Sequence, residues 1–358
     1  MMKEIVMFNV RRVAGLALVA LLGVGLVTSP RWTALAASPP APTTPAATTP
    51  AASPPASTTP PATTPAASSG PVVKKQDFDT PDAAAAALLK ANQDNDVAAL
   101  RAIFGPAGDK LVVSGDAVAD SAARQRFVDA YTASHAITPS EDGRMTLVIG
   151  PNAWPVPIPL ERVDGRWRFD TSLGAQEIVD RRIGRNELMT IRTLLAAVAA
   201  QKDYFDRMQR GAGTGAYAQR MLSTPGKEDG LYWDAATGEA PSPLGPLIAQ
   251  VESEGYPGAT GAHGKPTPYQ GYFYHLLKAQ GPNAPGAAKS YLHNGSMTEG
   301  FAYVAWPAVY ETSGIVTFLV DQDGTVFQKD LGRDTSNIAG GMTSFNPDFT
   351  WARVDISD

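Results

Sequence analysis

The spacing of apolar residues predicts a helix that starts after Thr80, ahead of Pro81 and Asp82, and runs to about Asn92. A second opens at Asp96, carries Leu100, Ile103 and Phe104, and stops at Gly105-Pro106. Lys110 to Ser114 reads as a short strand. A third helix over about 119–134 places Ala123, Phe127, Val128 and Tyr131 on one face, and His135 and Pro139 mark its end. Strands follow at 145–149, 156–163 and 166–171, and Asp164-Gly165 joins the last two as a tight hairpin.

The longest periodic segment covers about 175–210. Ile178, Ile183, Leu188, Ile191, Leu194, Leu195, Val198, Phe205 and Met208 form its apolar stripe, Gly184 is placed to divide it, and Gly211 to Gly215 ends it. A glycine- and proline-rich excursion leads to alternating strands at 271–277, 301–306, 315–320 and 325–329. The long segments 224–270 and 281–297 are expected to be exposed loops and contact surfaces.

Fold class follows as α+β. Two helices, a short strand, a third helix and then antiparallel strands ending in Gly-Arg-Trp-Arg-Phe-Asp resemble the cone-shaped nuclear-transport-factor-2-like fold over 74–175, which implies a cavity. From 176 to 358, one long helix ahead of antiparallel strands resembles the periplasmic domain of type IV pilins and pseudopilins. The carriers are Tyr303-Val304-Ala305-Trp306-Pro307, Ser313-Gly314-Ile315-Val316-Thr317-Phe318 and Asp321-Gln322-Asp323-Gly324; the pilin's apolar N-terminal helix half is missing. Asp229-Gly230-Leu231-Tyr232-Trp233, Gly271-Tyr272-Phe273-Tyr274, Ala279-Gln280-Gly281-Pro282, Met297 with Gly300-Phe301-Ala302, and Lys329-Asp330-Leu331-Gly332 resemble an exported bacterial family, domain of unknown function 2950. That resemblance implies secretion and brings no activity or catalytic residues.

The first 73 residues are patterned differently. Lys3, Arg11 and Arg12, an apolar run from Ala14 to Thr28 and Ala34-Leu35-Ala36 read as a secretory signal over 1–36. A retained anchor is the alternative, although the run breaks at Thr28-Ser29-Pro30, short of the about 20 apolar residues a span needs. Residues 37–73 are dominated by Pro, Ala, Thr and Ser and read as a disordered spacer. The formal charge is −5; the signal carries +3, so a chain cut after Ala36 carries −8, which argues against nucleic acid and anionic lipid as partners.

Candidate chemistry is sparse. The chain has no cysteine, which removes disulfides, thiolate metal sites and cysteine nucleophiles, and four histidines without metal-ligand spacing. Tyr274, His275, Lys278, Lys289 and His293 form the densest acid–base set; His275 and His293, with Lys278, are the catalytic candidates if the two histidines converge with a carboxylate such as Asp229 or Glu299, and otherwise these residues simply face solvent. His135, Trp154 and Trp167 are the candidates to line a first-domain pocket, with core or hairpin packing as the alternative. Asp321-x-Asp323-Gly324 has the opening of a calcium loop, but Gly332 stands where the bidentate acid belongs, and a hairpin turn accounts for the carboxylates. No cofactor and no metal is expected. The sequence points to an exported envelope protein, a binding or surface-assembly module whose partner is an envelope protein or polysaccharide. A periplasmic hydrolase using His275 or His293, and a small-ligand carrier using the first-domain cavity, are the alternatives.

Overall fold

A computed structural model describes residues 75–235, 238–256 and 267–355. These all lie in the second of two compact units, 67–358; the secretory signal and the spacer expected at 1–73 fall outside the described residues. The fold is mixed helix and antiparallel sheet. Among the described residues, no helix is long and apolar enough to cross a membrane.

The first helices form where local capping dictates. Helix α1 (Pro81–Gln93) is capped by Thr80, whose Oγ1 accepts from the Ala83 N–H at 3.0 Å, and α2 (Val97–Phe104) by Asp96, which accepts from Ala99 at 2.9 Å. Residues 110–112 are not a strand. They belong to the single-turn helix α3 (Asp109–Val112), which continues a 3₁₀ turn begun at Pro106. Asp116 caps α4 (Ala117–Ala133), accepting from Ala119 at 3.0 Å.

The chain then enters a strand that the pattern did not announce. Strand β1 (His135–Pro139) pairs with β2 (Met145–Ile149), which also pairs with the two-residue β3 (Trp154–Pro155) and with β4 (Leu160–Val163); β5 (Arg166–Phe169) completes the sheet, all antiparallel. Strand β4 starts later than the alternation suggests, because Pro157 and Pro159 precede it. Asp164 and Gly165 both take positive φ, 50° and 82°, as a tight hairpin joining β4 to β5 requires. Leu147, Leu160 and Phe169 from this sheet, with Ile158 from the β3–β4 connection, bury against Leu88, Leu100 and Ile103 of α1 and α2.

Helix α5 (Ala175–Ala212) runs unbroken through Gly184. Its first turns pack Ile178 on that first core, and Leu194, Ala197 and Val198 belong to a second. Leu188, expected in the buried stripe, is instead 61% exposed. A further helix, α6 (Gly245–Ser253), lies inside the stretch expected to be loop.

The second sheet contains β6 (Tyr272–Leu277), paired antiparallel at one edge. Short hairpins β7 (Ala279–Gln280) with β8 (Lys289–Ser290) and β9 (Leu292–His293) with β10 (Ser296–Met297) follow; they bury Tyr291 and Met297, so 281–297 is not exposed throughout. Then come β11 (Ala302–Pro307), β12 (Val316–Asp321), β13 (Val326–Asp330), the short helix α7 (Thr335–Gly340) and β14 (Ala352–Arg353), giving the strand order β14-β13-β12-β11-β6. Both faces of β11 are covered. Tyr303 reaches Gln201 of α5 at 3.0 Å, whereas Trp306, of opposite parity, lies toward Gly340 of α7.

Candidate functional site

The residues singled out for acid–base work do not converge. His275 is exposed on β6 opposite Val304, and His293 is exposed on the separate β9–β10 hairpin opposite Ser296. Neither imidazole has a hydrogen-bond partner among the described residues, and Lys278 reaches only the Gln219 side chain, at 3.5 Å. The Asp229 carboxylate accepts from the backbone N–H and the hydroxyl of Thr224 at 2.7 and 2.8 Å, which hold it below the usual carboxylate range.

Asp321 serves the β12–β13 turn. Its Oδ1 accepts from the backbone N–H groups of Asp323 and Thr325 at 3.0 and 2.9 Å, and burial raises its pKa; Asp323 is exposed. No three His, Asp or Glu side chains converge to hold a metal among the described residues. In the first lobe, the part built on the β1–β5 sheet and its helices, His135 stacks on Tyr131 with ring centroids 3.9 Å apart, Trp154 is 59% exposed, and Trp167 is half-buried with its backbone paired to Phe78.

A cavity does lie in the first lobe, built by other residues. It measures about 170 Å³ and sits where α1, α2 and α4 meet the start of α5. Leu88, Leu100, Phe104, Phe127, Ile158 and Ile178 supply its apolar wall, and Asn92, Asp120, Arg124 and Arg182 its polar lining. His135, Trp154 and Trp167 are not among the lining residues.

The arginines owe their places to α3. A one-turn helix leaves its last carbonyls without partners, and cations at its C-terminus satisfy them. Arg182 donates to the Lys110 and Leu111 oxygens at 2.7 Å each, and Arg124 to the Val112 oxygen at 3.1 Å and to the Asn95 side chain. A guanidinium carries more donors than these bonds use. Neither arginine has a carboxylate in ion-pair contact among the described residues. Burial lowers the Arg182 pKa, Asp120 opposes that shift, and Arg185 adds to it. Asp120 itself accepts from the Ser114 N–H at 2.9 Å.

A buried polar seam runs beside the cavity. Asp116, 1% exposed, uses Oδ2 to accept from the Tyr256 hydroxyl and from the Gly271 N–H, both at 2.8 Å. Burial, and next the Asp116 charge, drive the Tyr256 pKa far above the usual phenol value. Gly271 has φ +77°, and a Cβ there would stand 2.5 Å from the Asn186 Nδ2, which donates to the Ser313 carbonyl at 2.9 Å. Glu187 accepts from the backbone N–H groups of Ile315 and Val316 at 3.1 and 3.2 Å. The visible signal for Asp116 was its position before a helical pattern; nothing local paired it with Tyr256 or Gly271.

Taken together, the lining offers an apolar bowl with an incompletely neutralised cationic end, and the two histidines offer no assembled acid–base pair. No curated protein and no solved structure matches the chain. The family described as "Protein of unknown function (DUF2950)" matches residues 75–354, and the chain belongs to that family.

Proposed function

We propose that this is an exported, non-enzymatic binding protein of the bacterial envelope, and that the first-lobe cavity receives a small molecule with an apolar body and an anionic end. The observation that carries the reading is the coincidence of the apolar wall with Arg124 and Arg182, which have donors to spare and no carboxylate in ion-pair contact among the described residues. An anion at that end would offset the burial cost borne by Arg182. A dry apolar cavity of about 150 Å³ admits a benzene ring, so the site suits one ring or a short chain.

Export rests on the pattern of residues 1–36, and the spacer at 37–73 would hold the folded part away from its point of release. The packing of α1, α2 and α4 on an antiparallel sheet supports a nuclear-transport-factor-2-like cone over 74–175. A long helix across a five-stranded antiparallel sheet supports a pilin-like second domain over 176–358. That second domain would meet an envelope protein or polysaccharide through the segments 224–270 and 281–297; residues 236, 237 and 257–266 lie outside the described residues.

Calorimetric titration with benzoate, with benzyl alcohol as the uncharged comparison, tests the reading. Ala123 lines the cavity and is exposed, so Ala123→Phe should block it without disturbing the core. Benzoate should bind one per chain, more tightly than benzyl alcohol, and not to Ala123→Phe. Equal binding to the variant, or none to the parent, would overturn the proposal.

A further inference from the structure

A second cavity, of about 560 Å³, lies at the opposite end of α5. The last turns of the helix give it Tyr204, Arg207, Met208 and Gly211, and the following segment gives it Glu228 and Trp233. The Tyr204 hydroxyl donates to the Glu228 carbonyl at 3.0 Å, which fixes that segment against the helix. Trp233 packs half-buried on the small core of Ala200, Tyr204 and Leu231.

The charges along this groove are unequal. Arg207 is neutralised in place: its Nε and Nη2 donate to the two Asp203 carboxylate oxygens at 3.0 and 2.6 Å, and its Nη1 to the Pro241 carbonyl at 2.8 Å. The Glu228 carboxylate is exposed and has neither a hydrogen bond nor an ion pair among the described residues. The lining therefore combines an indole, a phenol ring and a thioether with a net negative charge. An aromatic face beside a carboxylate favours an organic cation, attracted by both the ring quadrupole and the charge. An inorganic cation would gain little from the ring and the thioether, and an anion would be repelled.

We infer that this groove binds an organic ammonium group carried on an apolar stem. The group can arrive on a free amine or on a lysine side chain, and the volume accommodates either. The inference does not depend on the first-lobe cavity.

The test titrates butylammonium, tetramethylammonium and a short lysine-containing peptide into the full chain, following Trp fluorescence and ligand-detected NMR, with butanol as the neutral comparison. The ammonium ions should bind and butanol should not. Glu228→Gln and Trp233→Leu should each weaken binding about threefold to fivefold, and added salt should weaken it further. The peptide outcompeting butylammonium would assign the site to lysine side chains, and the reverse to free amines. Glu228 is exposed, so its variant should keep the parent circular dichroism. Unchanged affinity in Glu228→Gln, equal binding of butanol, or no binding of any ammonium ion would overturn the inference.

Discussion

The Tyr256 hydroxyl donates to Asp116 at 2.8 Å across 140 residues of chain, and the same carboxylate oxygen accepts from the Gly271 N–H. One side chain thus caps α4 and anchors the strand that enters the second sheet. Removing it leaves two donors and a helix end unsatisfied together. Asp116→Ala should cost about 2–4 kcal/mol, and Tyr256→Phe about 1–2 kcal/mol. Denaturant unfolding of both single variants and the double variant would show coupling between them; strictly additive effects would mean the two groups do not support each other.

Two glycines should respond in opposite directions. Gly271→Ala forces a side chain into φ +77° and against the Asn186 amide, and should destabilise by about 2 kcal/mol or more. Gly184 lies inside α5, where an added Cβ meets nothing within 4 Å. Gly184→Ala should stabilise by about 0.5–1 kcal/mol. Thermal unfolding midpoints check both, and a loss of stability in Gly184→Ala would contradict the open helical position.

Asp321 gives a pH signature. Burial raises its folded pKa above the ordinary 3.8, so the native state prefers the protonated carboxyl, and the stability this group contributes falls as pH rises through the folded pKa. Asparagine keeps the acceptor for Asp323 and Thr325 without the charge. Asp321→Asn should therefore raise the midpoint at pH 7, with the advantage shrinking as pH falls through the folded pKa towards 3.8, below which the carboxyl is protonated in both states. Stabilisation of the parent by millimolar calcium, lost in the variant, would instead restore a metal role.

All eleven tyrosines are shifted upward, with Tyr232, Tyr274 and Tyr291 pushed up to about 12. Raised phenol values stabilise the native state below the ordinary 10.0, and that contribution is lost as pH rises beyond it. Absorbance titration should show little phenolate near pH 10.0 and then a cooperative rise that coincides with loss of circular dichroism. Independent titration of a large fraction at the ordinary value would contradict the burial.

What was legible in the sequence was local. Thr80 and Asp96 announce their helices through side chains that cap within three residues, and Asp164-Gly165 announces its hairpin through backbone conformation. Residues 110–114 look like a strand because Leu111, Val112 and Val113 adjoin, but the turn from Pro106 winds them into a helix whose carbonyls are held by Arg124 and Arg182 from elsewhere in the chain. His135 and Pro139 read as the end of a helix, yet 135–139 pairs as a strand; it lies at the sheet edge, where the missing N–H of Pro139 costs no ladder bond. A first-domain cavity was expected, but its lining was invisible for the same non-local reason. Histidines and tryptophans attract notice by residue type, whereas the lining is ordinary apolar residues with two arginines 58 positions apart, brought together only by the packing of α5.

Native mass spectrometry of the full chain, purified from its own cells without chelators or refolding, reads the occupancy of the first-lobe cavity directly. We predict the polypeptide plus one small organic acid, released on collisional activation and missing from Ala123→Phe prepared in the same way. A bare polypeptide in the parent, or the same adduct in the variant, would contradict a ligand held in the first-lobe cavity.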